Sequence, residues 1–201
     1  VGTDIHIVVE RRYAGKDWEL LDPATYPESL HARNYSTFAI LANVRNGYGF
    51  AGIPTTATAF EPISEPRGYP DGFIWPDGCG WRLCEGDHDF SWVTLAELMA
   101  VTWERKITKL GVVESQIFDS WDGQSQPSDW WGDIYGDGIV IQVVTPEQYR
   151  AGRRGVKATY VRITWEVTYK QAVGSFWDAL TWLKKEAAGD AEIRLVFGFD
   201  S

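Results

Sequence analysis

The densest chemistry in the sequence lies in the run Asp4-Ile5-His6-Ile7-Val8-Val9-Glu10. The alternation of a strand sets Asp4, His6 and Glu10 on one face with Val8, and turns Ile5, Ile7 and Val9 to the other. An imidazole titrates near neutral pH, and a neighbouring carboxylate can fix its tautomer or take its proton. His6 is one of only three histidines, with His31 and His88. Brought together at a phosphodiester, His6 and His88 would act as general base and acid, with Asp4 and Glu10 orienting or deprotonating. Asp4, His6 and His88, joined by Asp87 or Asp89, would equally hold a divalent metal ion as cofactor, since they offer the oxygen and imidazole ligands such ions take. The competing explanation is an amphipathic strand with its polar side in water.

Anion recognition is suggested in three further places. Gly47-Tyr48-Gly49-Phe50-Ala51-Gly52 satisfies G-x-G-x-x-G but follows a helix pattern and runs into Ile53-Pro54, so it is not a dinucleotide fingerprint. Its glycines still permit close backbone approach, and Arg45 beside them offers a guanidinium fork for phosphate. Arg67 supplies a second fork in Arg67-Gly68-Tyr69-Pro70-Asp71. Asp87-His88-Asp89-Phe90-Ser91-Trp92 precedes a helix start, where backbone N–H groups favour anions, which makes Ser91 a ligand candidate; Asp89 and Ser91 also suit a plain turn. Tyr35 and Trp92 provide rings on which a base can stack.

Positioning these groups requires a framework, and much of it is readable. The first strand continues through Ala14-Gly15-Lys16 into Trp18–Leu21 as a hairpin. Asn34 caps a helix with Tyr35, Phe38, Ala39, Ala42 and Arg45 on one face, ending near Asn46-Gly47. Thr94-Leu95-Ala96-Glu97 is a capping box, with Val93 and Leu98 as its hydrophobic staple, for a helix reaching about Arg105 or Lys106. Between them, Gly47 to Trp92 has no sustained period, and its aromatic content predicts an ordered pocket wall. Asp119 to Gly138 is acidic and reads as an insertion or lid; no Lys or Arg occurs between Lys109 and Arg150. Ile139–Val144 and Ala158–Tyr169 read as strands, the latter with Val161, Ile163, Trp165, Val167 and Tyr169 on one face. Ser175 caps a helix through Lys185 with Gly189 as its stop, and Ile193, Leu195, Phe197 and Phe199 mark a last strand. The expectation is one α+β domain over 1–201: a mainly antiparallel sheet, helices packed on one face, and long ordered loops.

Composition narrows the partners. The 201 residues carry 28 acidic against 19 basic side chains, a formal charge of −9, which argues against coating long nucleic acid. No apolar run of about eighteen residues occurs and no leader pattern opens the chain, so a cytoplasmic protein without membrane contact is expected. Cys79 and Cys84 fit no four-ligand zinc pattern and are expected as free thiols. Eleven tryptophans exceed ordinary usage and give broad surfaces for a core, an interface or stacking.

Gly2-x-Asp4-Ile5-His6, Glu10, Arg33-Asn34-Tyr35, Phe38, Leu41-Ala42-x-Val44-Arg45, Pro66-Arg67-Gly68-x-Pro70-Asp71 and His88-x-x-Ser91-Trp92-x-Thr94 together resemble a family of bacteriophage and prophage proteins. Those proteins open with Gly-Cys-Asp-Ile-His and carry His-Ser-x-Ser-Trp-Leu-Thr before a helix. The resemblance spans roughly residues 1 to 100, with Thr3, Asp89 and Val93 standing where the family has Cys, Ser and Leu. It implies a phage origin and, by analogy, action in the host cytoplasm against a nucleotide defence signal. The first expectation is therefore a hydrolase cleaving a cyclic-nucleotide phosphodiester. The alternatives are a protein that sequesters the nucleotide intact, or an inhibitor that uses the acidic 119–138 segment against a basic host protein. A homo-oligomer is compatible with any of them.

Overall fold

The computed structural model describes residues 2–76, 88–134, 141–152 and 158–200. Cys79, Cys84 and Asp87, singled out above, lie outside them. In chain order the elements are β1 (Asp4–Arg12), β2 (Glu19–Leu20), α1 (Tyr35–Ala42), β3 (His88–Thr94), α2 (Leu95–Ala100), β4 (Lys106–Glu114) and α3 (Ser115–Ser120). They continue with β5 (Ile141–Val144), α4 (Pro146–Arg150), β6 (Ala158–Thr168), α5 (Tyr169–Ala172), α6 (Phe176–Glu186) and β7 (Glu192–Asp200). The fold is α+β with mainly antiparallel pairing. The strands divide between two sheets, ordered β2-β1-β7-β3 and β4-β6-β5, where one sheet was expected; only β5–β6 is parallel. One apolar cluster runs through residues of both sheets.

Local chemistry explains the elements that were foreseen. Gly15 takes the left-handed backbone (φ +72°) that the β1–β2 turn needs. Asn34 Oδ1 accepts from the Ser36 and Thr37 N–H groups, so α1 starts where its cap places it. The helix stops earlier than expected, at Ala42, because Asn43 adopts the left-handed conformation (φ +61°). Residues Ser36 through Ala42 are all buried, so α1 is a central helix without a water-facing side. Phe38 meets Phe199 of β7 edge-on at 5.1 Å, and Ser36 accepts a hydrogen bond from Lys109 of β4 at 2.8 Å. Through these contacts α1 bridges the two sheets.

Three stretches differ from the expectation. His88–Thr94 is an edge strand rather than the end of a loop; its bulge at Asp89 (φ +53°) breaks the alternation that would have revealed it. The Thr94–Glu97 capping box is present, but α2 ends at Ala100 and the chain enters β4 at Lys106. The acidic segment begins at the end of α3 and lies along β4, where Trp131 and Val112 exchange backbone hydrogen bonds of 2.9 and 2.7 Å. Nearer the start of β4, Ala57 N–H donates to Thr108 and Leu110 N–H to Thr55. The outer edge of β4 is thus covered by two loops. Among the described residues no helix is long and apolar enough to cross a membrane.

Candidate functional site

The imidazoles expected to converge lie on opposite faces of one sheet. His6 pairs with Gly198 of β7 and His88 with the next residue, Phe199, so their side chains leave the sheet in opposite directions. His6 Nε2 lies 3.2 Å from Asp200 Oδ2, while His88 Nδ1 lies 2.6 Å from Asp89 Oδ2 and its ring stacks on Phe199 at 6.3 Å. Among the described residues no three His, Cys, Asp or Glu gather as a metal site, so the Asp4, His6 and His88 constellation does not form. His31 lies near His6, and burial, reinforced by the His6 charge, holds its pKa down to about 4.

The carboxylates of β1 are engaged as well. Asp4 takes a two-pronged pair from Arg33, at 2.6 Å from Nε and 2.5 Å from Nη2, which holds its carboxyl below the usual range despite partial burial. Glu10 meets Arg194 Nε at 2.6 Å, both side chains nearly excluded from water, and the Arg194 guanidinium lies 4.1 Å from the Trp18 ring centre. Val8 and Val196 between these groups are fully buried, so the row is not a solvent-washed polar face. Asp200, which ties His6 to the Asp4 backbone N–H (2.9 Å), was missed because only the register of the last strand brings it there.

Arg67, Ser91 and Trp92 form a second, separate group. Arg67 grips Glu97 at 2.7 Å, lies 5.0 Å over Trp92, and its backbone N–H donates to the fully buried Ser91 Oγ. These contacts fasten the 61–76 loop to β3 and α2. Arg45, with a left-handed backbone (φ +50°), reaches the buried Thr3 Oγ1 at 2.6 Å and lies 5.3 Å over Tyr35. Thr3 is therefore a structural acceptor, and Tyr35 and Arg45 stand together beside α1.

A cavity of about 510 Å³ opens where the first turn of α1 meets β4. Arg33, Tyr35, Ser36, Phe50, Lys109 and Trp130 are among its lining residues. Lys109 was not anticipated. It pairs with Trp165 in the inward row of β4, which otherwise reads Ile107, Gly111 and Val113. Its Nζ donates to Ser36 Oγ at 2.8 Å and lies 5.5 Å from the Phe60 ring centre; among the described residues no carboxylate pairs with it. Burial pushes its pKa down to about 8.

Gly111 makes the room. A Cβ there would stand 2.7 Å from the Trp131 carbonyl oxygen and 2.8 Å from Trp130 Cε3, so glycine alone lets the Trp130 ring pack at 5.0 Å on Trp165 beside the lysine. Gly132 similarly abuts Ile53, which closes the wall between the 47–56 loop and the acidic segment. The one signal that could have found Lys109 is a lone lysine alternating with Ile107, Gly111 and Val113, and that same lysine and glycine break the apolar row that would mark the strand. The chain matches no family model, no curated protein and no solved structure.

Proposed function

We propose that this protein binds a small nucleotide in the Lys109 cavity and holds it intact. The observation that carries the reading is the Lys109 ammonium, set in an apolar row with one hydroxyl and one ring for company and no ion-paired carboxylate among the described residues; Asp133, which also lines the cavity, is held by Arg162. A charge in such surroundings lacks the solvation it had in water, and a phosphate oxygen arriving there restores it. Tyr35, Phe50 and Trp130 supply apolar faces of the size of a base, and the cavity volume falls within the range of small-molecule sites. In a chain of net charge −9, this gives a local anion site without general affinity for polyanions.

Sequestration is supported over cleavage because His6 and His88 face away from each other and cannot serve one phosphodiester as base and acid. The inhibitor reading is less supported: Asp122 accepts the Gln124 and Ser125 N–H groups of its own turn, and Asp133 pairs with Arg162. The host cytoplasm is the compartment in which such sequestration would act. The test is calorimetry with mononucleotides and cyclic dinucleotides, followed by chromatography of ligand released on denaturation. Binding with intact recovery, weakened at least about tenfold by Lys109→Met and unchanged by His6→Ala and His88→Ala, is expected. Cleaved ligand, or equal binding by Lys109→Met, overturns the reading.

A further inference from the structure

Lys109 is also placed to react. An ordinary lysine is a poor nucleophile at neutral pH because nearly all of it is protonated, and a lysine salt-bridged to a carboxylate is poorer still. Lys109 has the opposite surroundings: inward-row neighbours that are apolar, the Phe60 ring 5.5 Å away, and no carboxylate partner among the described residues. Its Nζ is tethered by one hydrogen bond to Ser36 Oγ, which fixes the position of the nitrogen, and it lines an open cavity rather than the closed core. Tyr35, Phe50 and Trp130 form the walls that an entering molecule would meet.

We propose that Lys109 is a carbonyl-capturing amine whose ligands are small aromatic aldehydes. The lone pair of the neutral Nζ adds to the carbonyl carbon and the C=O π pair moves to oxygen. A proton passes from nitrogen to that oxygen, giving a carbinolamine. Protonation of the hydroxyl by solvent releases water and leaves a protonated imine, so one amine, one aldehyde and one proton yield one iminium and one water. The single remaining N–H of the iminium keeps the hydrogen bond to Ser36 Oγ. Desolvation in a partly apolar pocket is a recognised way to activate a lysine for this chemistry. With its pKa at about 8, roughly a tenth of Lys109 is neutral at pH 7, against about one in 2,500 for an ordinary lysine. The inference shares the cavity with the nucleotide reading but does not depend on it, since condensation needs the amine and not an anion.

The test incubates the whole protein at pH 7 with benzaldehyde and, separately, pyridoxal 5′-phosphate, reduces the imine with cyanoborohydride, and locates the adduct by peptide mass mapping. The expected result is a first adduct at Lys109, formed at least about tenfold faster than at any other lysine, and absent at that position in Lys109→Arg. Adducts spread over the other lysines with no preference for Lys109 overturn the proposal. Inorganic phosphate added as competitor separates the two ideas. Labelling at Lys109 that phosphate suppresses supports both, whereas labelling that phosphate leaves unchanged supports carbonyl capture and contradicts the anion site.

Discussion

Glu10 of β1 and Lys109 of β4 are both charged side chains largely withdrawn from water, and the fold treats them differently. Glu10, in line with Val8, meets Arg194 at 2.6 Å, and the pair is roofed by Trp18. Lys109, in line with Ile107 and Val113, is given a serine hydroxyl and an aromatic ring and is left with a cavity in front of it. The first arrangement is complete without a ligand. Under the nucleotide proposal, the second is completed by one. Around β1 the charges pair within the protein, which is why residues that looked catalytic read as structure, whereas Lys109, without a carboxylate partner among the described residues, lies on a strand with no such motif.

Unbalancing the Glu10–Arg194 pair has the largest expected effect. Glu10→Gln and Arg194→Met should each cost about 3–5 kcal/mol in denaturant unfolding, because each leaves a buried charge alone. Replacing both by Met should restore most of the loss. Single variants that cost nothing would mean that the pair is solvated and the contrast with Lys109 is false.

The reverse experiment has the opposite sign. Lys109→Met should raise stability by about 1–3 kcal/mol while removing ligand binding, since methionine suits the apolar row and carries no charge to desolvate. The pH dependence should agree. The folded-state pKa of about 8 lies below the unfolded value near 10.4, so the unfolded chain holds more protons between them. Wild-type stability should therefore climb as pH rises through that window, and the Lys109→Met variant should lack that part of the climb.

How much of this was legible follows from which forces are local. Asn34 and the Thr94–Glu97 box act within four residues, and both were readable. So was the inward face of β6, because Val161, Ile163, Trp165 and Val167 alternate without interruption. β3 was hidden by its bulge at Asp89, and β4 by the lysine and glycine that interrupt its apolar row. Glu10, His6 and Asp4 were correctly seen to share a face, but their partners Arg194, Asp200 and Arg33 are supplied by chain far away in sequence. The cavity joins residues near 35, 50, 109 and 130, and no local pattern brings those stretches together.

A smaller effect tests the half-buried His31 imidazole beside β1. With a folded pKa of about 4 against 6.5 unfolded, His31 is neutral in the native state and the unfolded chain takes up more protons between those values. Stability should fall by about 1–2 kcal/mol from pH 7 to pH 5, and His31→Phe should flatten that slope. The smallest expected effect is at Asp4 and Arg33, both substantially exposed, where Asp4→Asn should cost less than about 1 kcal/mol.

If Lys109 is a cation that takes an anion, an NMR titration of its side chain with and without a mononucleotide reads this most directly. The expected result is a pKa of about 8 in the free protein that rises toward the ordinary lysine value when the nucleotide is bound. A free-protein pKa near 10.4 that the nucleotide leaves unchanged would contradict it.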